Sequence, residues 1–170
     1  MCATALGCIG MSAQMDKIGK VQDMRKEISD YIAEMEGLIA EAHKTGDKYA
    51  FQDPVYDITD ELNELERPFE AVEPILRLIE RSPDIDYGGP GPFGTFLEKF
   101  CRKGLDMGYE ELLIESLRRK PTRYTIFLLA RICNDKSDPD RPCYVKTIKQ
   151  YANSDCLDDD WRKIIQDIGE

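Results

Sequence analysis

The segment Asp84-Ile-Asp-Tyr-Gly-Gly-Pro-Gly-Pro92 decides how this chain is organised. Its prolines have no backbone N–H group and its three glycines readily adopt positive φ angles, so it can form neither a helix interior nor a central strand. It is therefore predicted to be a shaped turn between two helical halves. The charge changes at the same place: residues 1–85 carry 18 Asp or Glu and 9 Lys or Arg, whereas residues 86–170 carry 15 and 14.

The half after this turn, residues 85–170, has the pattern of a compact set of helices. Apolar residues at helical spacing predict helices at 93–100, 109–117, 124–133, 144–151 and 157–168. The third of these is apolar nearly all round and is expected at the centre, with Thr122 as its N-cap. The 109–133 pair resembles one hairpin of a HEAT-like array, although no repeat of 35–45 residues accompanies it.

The half before the turn, residues 16–84, begins with a long predicted helix at 16–44. Its apolar residues alternate at spacings of three and four, as on an a/d seam: Val21, Met24, Ile28, Tyr31, Met35, Leu38 and Ala42. Such a seam fits a helix that faces the core of a bundle, and it also fits a coiled coil that forms a homodimer. The sequence leaves both alternatives open.

The rest of this half is the most acidic part of the chain. Residues 48–58 are predicted to be a loop with aromatic anchors, followed by a helix that Thr59 caps and Pro68 interrupts. A further helix is expected at 69–81, where Pro74 makes the start uncertain. From Asp53 to Asp84 there are 10 acidic and 3 basic residues.

No segment shows the alternation of a strand, so the predicted fold is an all-α helical bundle with a HEAT-like hairpin. Residues 1–15 are expected to be a disordered leader and residues 16–170 a single domain. No run of about 18 apolar residues is present, so no membrane span is expected. The six cysteines have irregular spacings without a CxxC, which favours free thiols and the reducing cytoplasm.

The formal net charge of −10 argues against sequence-independent binding of nucleic acid, which needs Lys and Arg at the phosphates. It favours a basic partner, although a negative charge that only maintains solubility is the alternative. The single histidine, His43, is expected to stabilise the end of the long helix. No nucleophile, phosphate-binding or metalloprotease motif occurs, so no enzymatic activity, cofactor or metal is predicted.

Paired carboxylates are the remaining enzymatic alternative. The Asp158-Asp-Asp160 run immediately precedes a helix, where capping accounts for it. Asp84 and Asp86 would need a third carboxylate beside them to hold a metal ion.

The second half also resembles a known group of proteins. The motifs are the 84–92 turn, Tyr109-Glu-Glu-Leu-Leu-Ile-Glu-Ser-Leu117, Pro121-Thr122-x-x-Thr125 and Leu129-Ala-Arg131-Ile-x-Asn134. They cover about a third of the chain. In them the chain resembles small helical bacterial immunity proteins of contact-dependent growth inhibition and related polymorphic toxin systems.

The resemblance implies that the protein binds a cognate toxin domain in the cytoplasm and occludes its active site. A basic nuclease is the toxin that an acidic inhibitor would suit. A HEAT-like scaffold or adaptor for another protein is the alternative, and a metal-dependent enzyme is the weaker one. The candidate partner-binding residues are Tyr56, Asp57, Asp60, Glu61, Glu64, Asp84, Asp86 and Tyr87.

Overall fold

The computed structural model describes residues 26–47, 49–102 and 108–169, and within these ranges it contains α-helices and no strand. The all-α prediction is therefore confirmed. The helices are α1 (Ile28–Thr45), α2 (Tyr49–Asn63), α3 (Val72–Arg81), α4 (Gly91–Leu97), α5 (Tyr109–Arg119), α6 (Arg123–Cys133), α7 (Arg141–Lys149) and α8 (Asp159–Asp167). Two 3₁₀ segments, Pro68–Ala71 and Glu98–Phe100, precede α3 and follow α4.

One hydrophobic cluster joins the two halves of the chain. Helix α2 packs against α1 and α4, α3 against α5, and α6 against α5 and α7. An aromatic group ties α2, the glycine-proline turn, α4 and α6 together at its centre: Phe51, Tyr87, Phe93 and Tyr124, with ring centroids 5.0–5.5 Å apart. Such edge-on and tilted pairs stabilise a core beyond their buried area.

The apolar seam of helix α1 packs against other helices of the same chain. Tyr31, Met35 and Ala42 are buried as the spacing predicts, together with Ile39, and α1 contacts α2 and α3. These side chains are therefore not available to a second copy, and the core-facing alternative holds for this part of the helix. The predicted leader 1–15 and the predicted helical residues 16–25 lie outside the described residues.

The prediction of a loop at residues 48–58 is wrong, because α2 begins at Tyr49. Its buried face consists of Phe51, Val55, Ile58, Thr59 and Leu62. Pro54 lies inside this helix, where it removes a single backbone N–H donor. The buried apolar face outweighs that loss. Thr59 is consequently not an N-cap, and its hydroxyl donates a hydrogen bond to the Tyr56 carbonyl at 3.0 Å.

Proline is better placed in α3. The 3₁₀ segment Pro68–Ala71 leads into this helix, and Pro74 falls in its first turn, where N–H groups have no intrahelical partner. The helix buries five apolar side chains, as its pattern predicts: Val72, Ile75, Leu76, Leu78 and Ile79.

The glycine-proline segment forms a turn that ends where α4 begins. Gly88 and Gly91 have φ angles of 79° and 64°, which L side chains rarely adopt, and the Gly89–Pro90 peptide is cis. The Tyr124 hydroxyl accepts a hydrogen bond from the Gly94 amide at 2.9 Å and donates one to the Pro90 carbonyl. These two hydrogen bonds connect the turn to α6.

The predicted caps of α6 and α8 are confirmed, unlike the one predicted at Thr59. The Thr122 hydroxyl accepts a hydrogen bond from the Thr125 amide at 3.1 Å, so Thr122 caps the start of α6. Helix α6 forms a helical hairpin with α5. The Asp158 carboxylate accepts a hydrogen bond from the Trp161 amide at 2.9 Å, so Asp158 caps the start of α8.

Candidate functional site

The solvent-facing side of α2 carries acidic and aromatic side chains in one row. We call this row the acidic stripe: Tyr49, Asp53, Tyr56, Asp57, Asp60 and Glu64, the last one residue beyond the helix. At 100° per residue the six side chains fall within an arc of about 100°, opposite the face that packs into the core. All six are exposed, and Tyr49 and Tyr56 retain 60% and 42% of their accessible surface.

The carboxylates of the stripe are not offset by basic side chains in the part of the chain that the structure describes. Helix α2 contains no Lys or Arg, and within the described residues no base forms a salt bridge with any of its four carboxylates. Their spacings of four, three and four residues place like charges next to one another on the helix surface. The arrangement therefore opposes helix formation.

The position of these charges along α2 is also unfavourable. Negative side chains stabilise the beginning of a helix, and positive ones its end. The first turn of α2 contains no acid and its last turn no base, whereas Asp60 lies in the last turn and Glu64 just beyond it. Capping explains neither residue.

Glu61, predicted as part of the same surface, has a different role. Its Oε2 lies 3.6 Å from Lys26 Nζ, beside α1. Lys26 also pairs with Glu34 at 2.9 Å. Glu61 therefore belongs to the exposed α1–α2 contact and not to the stripe.

Asp84 and Asp86 lie on the glycine-proline turn, apart from the middle of the stripe. The Gln52 side-chain amide donates a hydrogen bond to the Asp86 carbonyl at 2.9 Å, so the turn adjoins the first half of α2. Along the helix axis, Glu64 is about 18 Å from that contact.

Basic residues also lie near the turn. Asp84 and Asp86 line a cleft of ≈ 730 Å³ together with Lys120 and Arg123, and Arg123 forms an ion pair with Asp158 at 3.1 Å. The sequence-predicted residues therefore fall on an acidic helix face and on a cleft beside the first half of that helix, which is lined by both acidic and basic residues.

Tyr87 is not a surface anchor, which corrects the prediction. Only 1% of its surface is accessible, because its ring packs against those of Phe51, Phe93 and Tyr124. Its hydroxyl donates a hydrogen bond to the Ser82 carbonyl at 2.8 Å. Burial raises the pKa of this hydroxyl well above its usual range, so it stays protonated.

Two residues of the stripe, Tyr49 and Asp53, were not predicted as site residues. The signal that finds them is the helical spacing of Phe51, Val55, Ile58 and Leu62, which places the stripe on the opposite face. Pro54 hides that signal because an interior proline indicates a loop.

The structure also bears on three other features: metal ligands, the single histidine and membrane spans. In the described part of the chain, no group of three or more His, Cys, Asp or Glu side chains could hold a metal ion. His43 is exposed in the last turn of α1, in the position that its expected helix-end role requires. Across residues 26–47, 49–102 and 108–169, no helix has both the length and the apolar character needed to cross a membrane.

Comparison of the chain with protein-family models, with curated proteins and with solved structures gives no match.

Proposed function

We propose that this protein is an immunity protein that binds a cognate toxin domain through the acidic stripe and blocks its active site. The observation that carries the proposal is a row of four exposed carboxylates on one face of α2 that form no ion pair with any described residue, with two exposed tyrosines in the same row. The resemblance of residues 84–134 to immunity proteins supports the same conclusion.

The charge pattern has no benefit for folding. Each pair of like charges at a spacing of three or four residues costs a helix about 0.2–0.5 kcal/mol, and negative charge near the helix end adds to that cost. Solubility alone does not require the charges to lie in one row. A partner with positive charge offsets the repulsion upon binding, so the stripe is better suited to a complex than to the free chain.

The partner that fits this surface is basic, and a nuclease toxin has the appropriate chemistry. A nuclease holds phosphates with Lys and Arg, and carboxylates in a row present a similar series of negative charges to that cleft. Charge complementarity of this kind accelerates association and makes it dependent on salt. The cytoplasm, where a toxin would reach nucleic acid, is the proposed place of action.

Tyr49 and Tyr56 supply the apolar part of the proposed interface. Tyrosine combines a large apolar ring with a hydroxyl that can bind a partner, and such side chains often dominate the affinity of protein complexes. The two lie seven residues apart, two helical turns, so both can contact one partner surface. Tyr56 stays as a predicted aromatic contact, and Tyr49 takes the place of the buried Tyr87.

The test is co-purification of the tagged protein with the product of the neighbouring gene, with the mass of the complex measured at low and high salt. We expect a one-to-one complex that weakens as salt increases and a toxin that no longer arrests growth. The double variant Asp57→Asn/Asp60→Asn should lose affinity by about tenfold or more, because interface charge pairs contribute strongly when desolvated.

A matched control removes two exposed carboxylates elsewhere, Glu115→Gln on α5 and Asp167→Asn on α8. This variant has the same net charge as the first and should bind the toxin with nearly unchanged affinity. Equal loss in both variants would mean that net charge, and not the stripe, drives binding. A salt-insensitive complex with an unrelated protein would replace the immunity proposal by the scaffold alternative.

A further inference from the structure

The cleft beside the glycine-proline turn lies where three parts of the fold meet. Its volume of ≈ 730 Å³ is within the range of pockets that hold small molecules. Residues of the turn line it, together with the connection between α5 and α6, the first turns of α6 and the start of α8. The cleft therefore depends on the packing of segments that are far apart in the chain.

The apolar part of the lining includes two aromatic side chains that are only partly buried. Phe127 and Trp161 meet edge-on, with ring centroids 5.8 Å apart. Ile85 and Pro121, also partly buried, belong to the same lining. Apolar surface that stays accessible in a cleft favours a ligand with an apolar group, because binding removes this surface from water.

One carboxylate holds the start of α8, and with it Trp161, beside α6. Asp158 Oδ1 accepts a hydrogen bond from the Trp161 amide at 2.9 Å, and Asp158 Oδ2 lies 3.1 Å from Arg123 Nη2. The same side chain thus caps α8 and joins it to the first turn of α6. This side of the cleft is formed before any ligand arrives, and a preformed site loses less free energy on binding.

The lining also contains one basic and one acidic side chain that are available to a ligand. Lys120 and Asp84 are both exposed, and neither side chain forms a hydrogen bond or an ion pair with any described residue, including each other. Asp86 differs from them, because its Oδ1 accepts a hydrogen bond from the Gly88 amide at 2.9 Å. Lys120 and Asp84 are therefore the charges that a ligand can use.

These two opposite charges select the kind of ligand. A simple anion would be attracted by Lys120 and repelled by Asp84, and a simple cation would be repelled by Lys120 and attracted by Asp84. A ligand that carries both charges can pair with both side chains at once. Amino acids and short peptides are such ligands, and their side chains supply the apolar group that the aromatic part of the lining favours.

We propose that this cleft binds a zwitterionic amino acid with an aromatic side chain, either free or as part of a short peptide. Its carboxylate contacts Lys120, its ammonium group contacts Asp84 and its side chain packs against Trp161. The proposal rests on the cleft alone and not on the acidic stripe. It can therefore fail while the toxin proposal stands.

Titration of the full chain followed by NMR tests the proposal with phenylalanine and with analogues that lack one or more of its groups. 3-Phenylpropionate lacks the ammonium group, phenethylamine lacks the carboxylate, glycine lacks the side chain, and N-acetylphenylalanine amide has neither charge. We expect phenylalanine to bind at one site and more tightly than each of these analogues. The dipeptide phenylalanyl-phenylalanine represents peptides, and tighter binding of it than of phenylalanine would assign the cleft to a peptide.

Two variants test the two charges separately. Lys120→Gln should weaken the binding of phenylalanine and of 3-phenylpropionate by about fivefold without weakening that of phenethylamine. Asp84→Asn should weaken the binding of phenylalanine and of phenethylamine by a similar factor without weakening that of 3-phenylpropionate. This reciprocal pattern is expected only if each side chain contacts its own group of the ligand.

The matched controls are Lys146→Gln on α7 and Asp167→Asn on α8, which remove exposed charges outside the lining of the cleft. Both should bind phenylalanine as the wild type does. Thermal unfolding confirms that each variant is folded. The proposal is wrong if phenylalanine does not bind up to about 10 mM, if N-acetylphenylalanine amide binds equally well, or if folded Lys120→Gln and Asp84→Asn retain wild-type affinity.

Discussion

The acidic stripe on α2 and the acidic residues of α3 have opposite surroundings. On α3, Glu80 is buried and accepts hydrogen bonds from the Ser116 hydroxyl at 2.6 Å and from Arg119 Nη2 at 2.7 Å. Arg119 also reaches Glu73 at 3.2 Å, and Arg77 pairs with Glu73 at 2.9 Å. The four carboxylates of the acidic stripe have no such partner among the described residues.

The difference separates charge that holds the fold together from charge that is available for recognition. The α3 network joins α3 to α5 through the buried Glu80 and Ser116, so the loss of Glu80 leaves a buried polar group without its partner. The side chains of the stripe are exposed to solvent, and its carboxylates repel one another. Its removal should help the free protein and harm only a complex.

The largest expected effect is on the α3–α5 network. Glu80→Ala leaves the buried Ser116 hydroxyl without its partner and removes the principal contact of Arg119. We expect the free energy of unfolding to fall by about 3 kcal/mol, as is typical when one member of a buried pair is removed. Urea unfolding followed by circular dichroism measures it. A loss as small as that of an exposed ion pair would contradict the structural role.

Acid should weaken the same network by a smaller amount. Burial raises the pKa of the Glu80 carboxyl, but hydrogen bonds from Arg119 and Ser116 outweigh it, and the net pKa lies below the ordinary value of 4.5. The stabilisation by this group is therefore present above that value and is lost as the pH falls through the folded pKa.

Unfolding measured over a pH series in the wild type and in Glu80→Gln isolates this contribution, because all other carboxyl groups are shared. The difference in stability between the two proteins should narrow as the pH falls below 4.5. A difference that does not change with pH would show that the Glu80 charge contributes nothing.

The smallest effect, and one of opposite sign, is expected in the stripe. Asp57→Asn/Asp60→Asn removes the like-charge pairs with Asp53 and Glu64 and should raise the free energy of unfolding by about 1 kcal/mol. The gain should shrink in about 0.5 M salt, where exposed charges are screened. Destabilisation of the free protein would mean that the stripe supports the fold, which would remove the argument for a binding surface.

Local rules predicted much of the second half. The aromatic and aliphatic spacing of 109–117 and 124–133, the Thr122 cap and the acids before α8 all correspond to the observed helices. These signals are short-range, because a helix face repeats every three to four residues and a cap acts within one turn. A single sequence therefore contains enough information to locate them.

The wrong predictions concern positions where a long-range contact outweighs a local sequence rule. Pro54 indicated a loop, yet the buried face of α2 packs on α1 and α4 and keeps the helix intact. Tyr87 was predicted to be a partner-binding anchor, but its ring packs against three other aromatic rings. The candidate acidic residues also differ in their surroundings, since Glu61 lies near Lys26, whereas Asp84 and Asp86 line a cleft that also contains Lys120 and Arg123.

By itself, the sequence determined the all-α class, the turn at 84–92 and the concentration of negative charge before it, because composition and periodicity are properties of the chain alone. Tertiary structure decided which carboxylates form ion pairs and which stay exposed to solvent. Glu80 and Arg119, for example, are 39 residues apart and come into contact only when α3 packs on α5. Tertiary structure also formed the cleft beside the glycine-proline turn, because the residues that line it come from distant segments. Burial and ion pairing depend on the neighbours that packing supplies, and no local pattern specifies them.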